Sequence, residues 1–236
     1  LFPYTTLFRS QDWMLSNQRN DLSFFVAGPV ELPGKWAGAG LARKRGMDEA
    51  LRRFNLMRNP GGIIISLDAD TLVDENYLVA IEEHFRKNPD EVGVTISVKH
   101  QTGGLSGEHL RGIRLYEEYM DYYKNALSYA GYPYPMFTVG SAFAVKAGAY
   151  VRRGGMNRRK AGEDFYFLQN LVHFGKVGEI NTTAVHPSAR LSDRVPFGTG
   201  PLLRKWLNKE EDLTKTYNFS AFQDLKKFFD EKDALF

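Results

Sequence analysis

The run Ile63-Ile64-Ile65-Ser66-Leu67, entered through the turn Asn59-Pro60-Gly61-Gly62 and left through Asp68-Ala69-Asp70, constrains this chain more than any other segment. Its length and β-branched content suit a strand buried on both faces, and such strands occur where helices cover both sides of a sheet. The two carboxylates then stand at the carboxyl end of a sheet strand, where open α/β sheets bind their ligands. After Ser10, short apolar runs alternate with amphipathic stretches. This predicts an α/β fold, a sheet covered by helices.

Composition narrows the reading further. The 236 residues are 43% apolar, enough to bury one sizeable core and little reason to expect two domains. Cys is absent, which excludes disulfides, thiolate zinc sites and a cysteine nucleophile. The 31 basic and 28 acidic residues leave a net charge of +3, interspersed along the chain, so charge gives no argument for a nucleic-acid partner. No window approaches the roughly 18 uninterrupted apolar residues that a membrane-spanning helix needs. Leu1 to Ser10 lack the features of a signal peptide, fit no period, and read as a non-native, adapter-derived segment. The expectation is therefore a single domain over 11–236.

Along the chain, Phe24 to Ala27 reads as a strand closed by Gly28-Pro29, and Gly34, Gly38 and Gly40 lead into a helix over 41–54 with Met47, Leu51 and Phe54 buried. Asp74 is placed to cap the next helix, whose apolar stripe is Leu78, Ile81 and Phe85, and 92–98 reads as a strand. A long helix is predicted from Ser106 to Ala130, with Leu110, Ile113, Met120, Tyr123 and Leu127 inward and Gly131 as its stop. Phe137 to Val145 is strand-like, and a helix opening at Gly162-Glu163-Asp164 carries Phe165, Leu168 and Val172. From Gly175 onward the pattern is less regular until Phe222, Leu225, Phe228 and Phe229, interleaved with Lys226 and Lys227. That segment fits either a packing helix or one lying at a membrane interface.

Three clusters carry chemistry. Asp68 and Asp70 can turn toward one hard cation, Mg²⁺ or Mn²⁺, whose remaining ligands would be substrate phosphates; the alternative is an acidic turn that caps a helix. Glu163 and Asp164 stand at a helix start, where the dipole favours an anion that could accept a hydroxyl proton; the alternative is a pair of helix-stabilising acids. The segment from His186 to Arg194 gathers an imidazole, hydroxyls and two guanidiniums, Arg190 and Arg194, able to fork onto phosphate oxygens. His186 is the one histidine in a plausible ligand context. Arg43-Lys44-Arg45 and Arg158-Arg159-Lys160 fit solvated faces or anion contacts, and Tyr116, Tyr119, Tyr122 and Tyr123 read as packing residues rather than a sugar platform.

Taken in order, these pieces resemble the family-2 glycosyltransferases of the GT-A fold, which implies a single Rossmann-like domain with a mixed central sheet flanked by helices. The family's opening strand is not visible before Phe24, so the resemblance implies a domain over 11–236 that lacks its first strand. Ala37-Gly38-Ala39-Gly40-Leu41-Ala42-Arg43 resembles the family's segment before the donor strand, and 63–70 resembles its apolar strand with the D-x-D metal motif. Gly140-Ser141-Ala142-Phe143-Ala144-Val145 resembles the strand before the acceptor region, and Gly154-Gly155-Met156 followed by Gly162-Glu163-Asp164 resembles the G-G…E-D block. The Q-x-x-R-W motif of processive members is absent from the sequence; Arg204-Lys205-Trp206 only echoes it.

The resemblance implies a metal-dependent, inverting, non-processive transfer of a sugar from a nucleotide-sugar to an acceptor hydroxyl. Asp164 would be the base, assisted by Glu163; Asp68, Asp70 and His186 would hold Mn²⁺ or Mg²⁺. Arg43, Ala69, Arg190 and Arg194 would meet the donor, and Gly140, Ser141 and Gly155 the acceptor, a saccharide or a lipid-linked one. The expected location is the cytoplasm, and a lipid-linked acceptor would place the protein at the inner face of the cell membrane. The alternatives are a metal-dependent sugar nucleotidyltransferase and a non-catalytic binding domain of the same fold.

Overall fold

The Ile63 run forms β1 (Ile63–Ser66), and its neighbours in space come from far along the chain. The computed structural model describes residues 12–17, 22–26, 34–35, 37–192 and 198–231. It divides into two compact units, Leu1–Ala37 and Gly38–Phe236. In the first, residues 12–16 make a helical turn and Trp13 meets Phe24 edge-on, with ring centroids 5.1 Å apart. The strand expected from Phe24 does not form over 24–26. Ala27, the Gly28-Pro29 turn and Leu1 to Ser10 lie outside the described residues.

The second unit is α/β, with one mixed five-stranded sheet flanked by helices. After β1 come β2 (Leu72–Val73), β3 (Glu91–Val98), β4 (Phe143–Lys146) and β5 (Lys176–His186), in the spatial order β1-β4-β3-β5-β2. β4 runs antiparallel to both β1 and β3, β3 and β5 are parallel, and β2 is antiparallel to β5. Side chains alternate across the sheet as the pleat requires. Ile64, Phe143 and Val145 face one side, and Ile63, Ile65 and Ala144 the other.

The first face is covered by α1 (Ala39–Leu56), the short α4 (Ala147–Arg152) and α5 (Glu163–Leu171), through Met47, Tyr150, Phe167, Leu168 and Leu171. The second face receives α2 (Tyr77–Lys87) through Tyr77, Ile81 and Phe85. The spacing i, i+4, i+8 therefore sets the α2 stripe, and Leu78, expected inside, is 59% exposed. The α5 stripe is likewise rotated: Phe167, Leu168 and Leu171 are buried while Phe165 faces outward beside Tyr166. Asp74 caps nothing. Asn76 is the N-cap of α2, and the Asp74 carboxylate instead accepts the Ala184 N–H at 2.8 Å, tying α2's entry to β5.

α3 (Gly107–Tyr129) runs outside this sandwich and ends as expected at Gly131. It packs on α6 (Thr199–Leu207) through Ile113 and Leu203, and on α7 (Phe219–Asp230) through Ala126 and Phe222. The apolar stripe of α7 thus has a protein partner, although Phe228 remains 56% exposed. No helix among the described residues is long and apolar enough to cross a membrane.

Candidate functional site

One guanidinium draws four segments together at the carboxyl end of β1. Arg43, in the first turns of α1, donates through Nε to Ser66 Oγ at 2.8 Å and to the Gly140 carbonyl at 3.2 Å. Its Nη1 donates to Glu163 Oε1 at 2.8 Å and its Nη2 to Asp68 Oδ1 at 2.7 Å. Ser66 Oγ in turn donates to the Gly140 carbonyl at 2.6 Å. A planar fork of fixed donors suits such a junction, and lysine could not reproduce it. Gly140 is required here for space, because a Cβ would run into the Arg43 guanidinium. The glycine that the resemblance places at the acceptor is, in this structure, a backbone acceptor for Arg43 and Ser66.

The acids of α5 enter through Gly162, which holds a left-handed φ of 68° as the N-cap. Glu163 is 4% exposed. Burial pushes its carboxyl above the ordinary range, the Arg43 charge opposes this, and Asp164 adds to it. Asp164 is half-buried and also raised, by burial first, against the lowering effects of the Phe165 N–H, 2.8 Å from Oδ1, and of Arg43. A carboxylate lifted toward neutrality suits a general base better than an ordinary aspartate does.

The loop before α5 is locked to α1. Asn157 Nδ2 donates to the Glu163 carbonyl at 2.7 Å, and the Gly40 N–H donates to the Arg159 carbonyl at 3.1 Å. A Cβ on Gly40 would collide with that carbonyl. Gly40→Ala is therefore expected to destabilise the fold by about 1–3 kcal/mol, read as a lower urea midpoint.

Asp68 and Asp70 occupy the turn after β1, with side chains 50% and 41% exposed. Asp68 is paired with Arg43, and Asp70 Oδ2 lies 2.6 Å from Arg190 Nη2. Ala69 lies between them in the same turn. Among the described residues no cluster of three or more His, Asp or Glu is poised as a complete metal cage. Two accessible carboxylates at a strand end nevertheless fit a cation that takes its other ligands from a diphosphate. His186 is turned elsewhere: Nε2 meets Asp74 Oδ1 at 2.8 Å and Nδ1 meets the Lys99 carbonyl at 2.9 Å. Both of its ring nitrogens are engaged, so the structure does not bring its imidazole to Asp68 and Asp70. Ser141 is 1% exposed beneath this site, and Gly155, with φ +79°, sits against Lys44 and Tyr150. Arg194 lies outside the described residues.

Several participants escape the sequence reading. Ser66 carried a signal, since it is the one polar residue in an otherwise apolar strand. Asn157 carried none. A chain of polar groups joins α3 to the start of α6: Glu117 Oε1 holds His100 Nδ1 at 2.9 Å, and His100 Nε2 lies 3.3 Å from Thr199 Oγ1. Thr199 bonds the half-buried Tyr116 phenol; burial raises that phenol, the Thr199 bond opposes this, and the Asp164 charge adds to it. Compared with family models and with curated proteins, the chain matches none.

Proposed function

We propose that this chain is a metal-dependent, inverting, non-processive glycosyltransferase of the family-2, GT-A kind. The observation that carries the reading is the Arg43 junction. It joins Asp68, 25 residues away in sequence, to Glu163, 120 residues away, and so holds the D-x-D turn beside the start of the E-D helix. In this reading Asp164 takes the proton of the acceptor hydroxyl while that oxygen forms its bond to the anomeric carbon of the donor. The bond from that carbon to the diphosphate breaks, and its electron pair leaves with the phosphate. One base on one face gives inversion. Asp68 and Asp70 would hold Mn²⁺ or Mg²⁺ together with the diphosphate, which supplies neutralisation of charge on the leaving group. Arg190, paired with Asp70, would fork onto the same phosphates. A saccharide or lipid-linked acceptor, the latter met at the inner face of the cell membrane, belongs to the same proposal.

One observation favours a second reading, a non-catalytic binding domain. Asp68 and Asp70 are each satisfied by an arginine of the chain itself, as structural acids would be. Calorimetric titration of nucleoside diphosphates and nucleotide-sugars, with and without Mn²⁺, separates the two. Binding that requires the metal and is lost in Asp70→Ala is expected. Failure of every nucleotide to bind would leave the non-catalytic reading standing.

A further inference from the structure

A cavity of about 310 Å³ opens between α3 and the segment that joins α6 to α7. Tyr116, Tyr119, Glu211, Asp212, Lys215 and Tyr217 supply its chemistry. Tyr116 and Tyr119 are three residues apart on α3, which puts both rings on one face of the helix. Tyr119 is stacked on Tyr123 with centroids 6.0 Å apart, Tyr123 meets Tyr217 at 5.8 Å, and the Tyr122 hydroxyl donates to the Tyr217 carbonyl at 2.7 Å. The rings and the far wall are therefore fixed before any ligand arrives, which lowers the ordering cost of binding. All four tyrosines pack, as expected from the sequence: Tyr122 and Tyr123 against α7, Tyr116 beside Ile113 and Leu203, and Tyr119 on Tyr123; Tyr116 and Tyr119 also line the cavity.

The lining selects its occupant. Aromatic faces suit apolar ligand surface, yet carboxylates and an ammonium stand beside them, so a plain hydrocarbon would leave those groups unmatched. A phosphate would meet Glu211 and Asp212. The Asp212 carboxylate is already held by Thr214 and by Lys215, 3.5 Å away, so its role is to accept hydrogen bonds more than to attract a cation. A neutral pyranose offers what is needed: C–H faces for the rings and hydroxyls for the carboxylates. The volume lies at the lower end of ligand pockets, suited to a small unit rather than a polymer. Tyr116 connects the cavity to the Asp164 charge, which acts on its phenol.

We infer that this cavity is a saccharide subsite, in which a neutral sugar ring packs on Tyr119 and Tyr217 and hydrogen-bonds to Glu211 and Asp212. Its assignment as the acceptor subsite rests on the transferase reading; sugar binding itself does not. The test is an amide chemical-shift titration of the full chain with methyl glucoside, methyl mannoside, methyl galactoside and N-acetylglucosamine, with tetramethylammonium as the rival probe. One sugar is expected to bind with Kd of about 1–10 mM and to shift the amides of Tyr116, Tyr119 and Tyr217. Tyr217→Ala, at a side chain 59% exposed, is expected to weaken it about tenfold, while Tyr119→Phe keeps it within about threefold. No sugar response up to about 100 mM, or a response to tetramethylammonium alone, overturns the assignment. A separate titration with UDP or GDP and Mn²⁺, read at Asp68 and Asp70, reports on the transferase reading independently. Sugar binding without a nucleotide response would keep the subsite and sink that reading.

Discussion

Asp164→Asn is expected to lower the rate of sugar transfer by about 10²–10⁴-fold while leaving donor binding intact and raising the melting temperature at neutral pH. Asparagine keeps the shape and can still accept the Phe165 N–H bond, but it cannot take a proton from an acceptor hydroxyl. The stability half follows from the direction of the shift. Burial raises Asp164, so between its ordinary range and its folded value the folded chain binds more protons than the unfolded one. Stability contributed by this group is therefore highest at acid pH and is lost as pH rises through that window, and asparagine removes the loss. The wild-type rate should fall on the acid side at a pH above the ordinary aspartate range. Single-turnover rates and thermal melts across pH check both halves. An unaltered rate would return the acids of α5 to a structural role.

Arg43→Ala is expected to be the most damaging single change to the fold, at about 3–5 kcal/mol. It leaves Glu163 buried beside Asp68 and Asp164 with no counter-charge, and it deprives Ser66 and the Gly140 carbonyl of a donor. That is a large share of the stability of an ordinary domain, about 5–15 kcal/mol. Because the orphaned Glu163 can protonate, the deficit should shrink as pH falls, and Arg43→Ala with Glu163→Gln should recover part of it. Urea midpoints at two pH values decide the matter; equal deficits at both would mean that the loss is packing and not charge.

Much of the frame was legible because local pattern and tertiary demand agree there. The isoleucine run of β1 has no other use than burial, and α3 and α5 announce themselves by period and by the glycines at their ends. β5 was not legible. Its eleven residues, KVGEINTTAVH, are buried only in places, and its strand character comes from parallel pairing with β3, a non-local contact. Leu78 and Phe165 misled for a related reason, since a helical stripe read from spacing alone can be rotated by one residue, and only the sheet beneath chooses among the rotations. At the site, residue types were readable at Asp68, Asp70, Glu163 and Asp164. Their partners were not: pairing to Arg43 and Arg190, and His186's turn toward Asp74, depend on which loops meet.

The Arg43 junction also has a history in time. Its partner at position 68 follows it by 25 residues, but its partner at position 163 follows by 120. At translation speeds of about 5–20 residues per second, Glu163 is made about 6–24 s after Arg43. Through that interval α1 and the turn after β1 lack the buried acid that completes the junction. The start of α5 is thus the last of the junction's pieces to arrive, and in the proposed reading a nascent chain carries the turn that would bind a cation before the acid that would act as base exists.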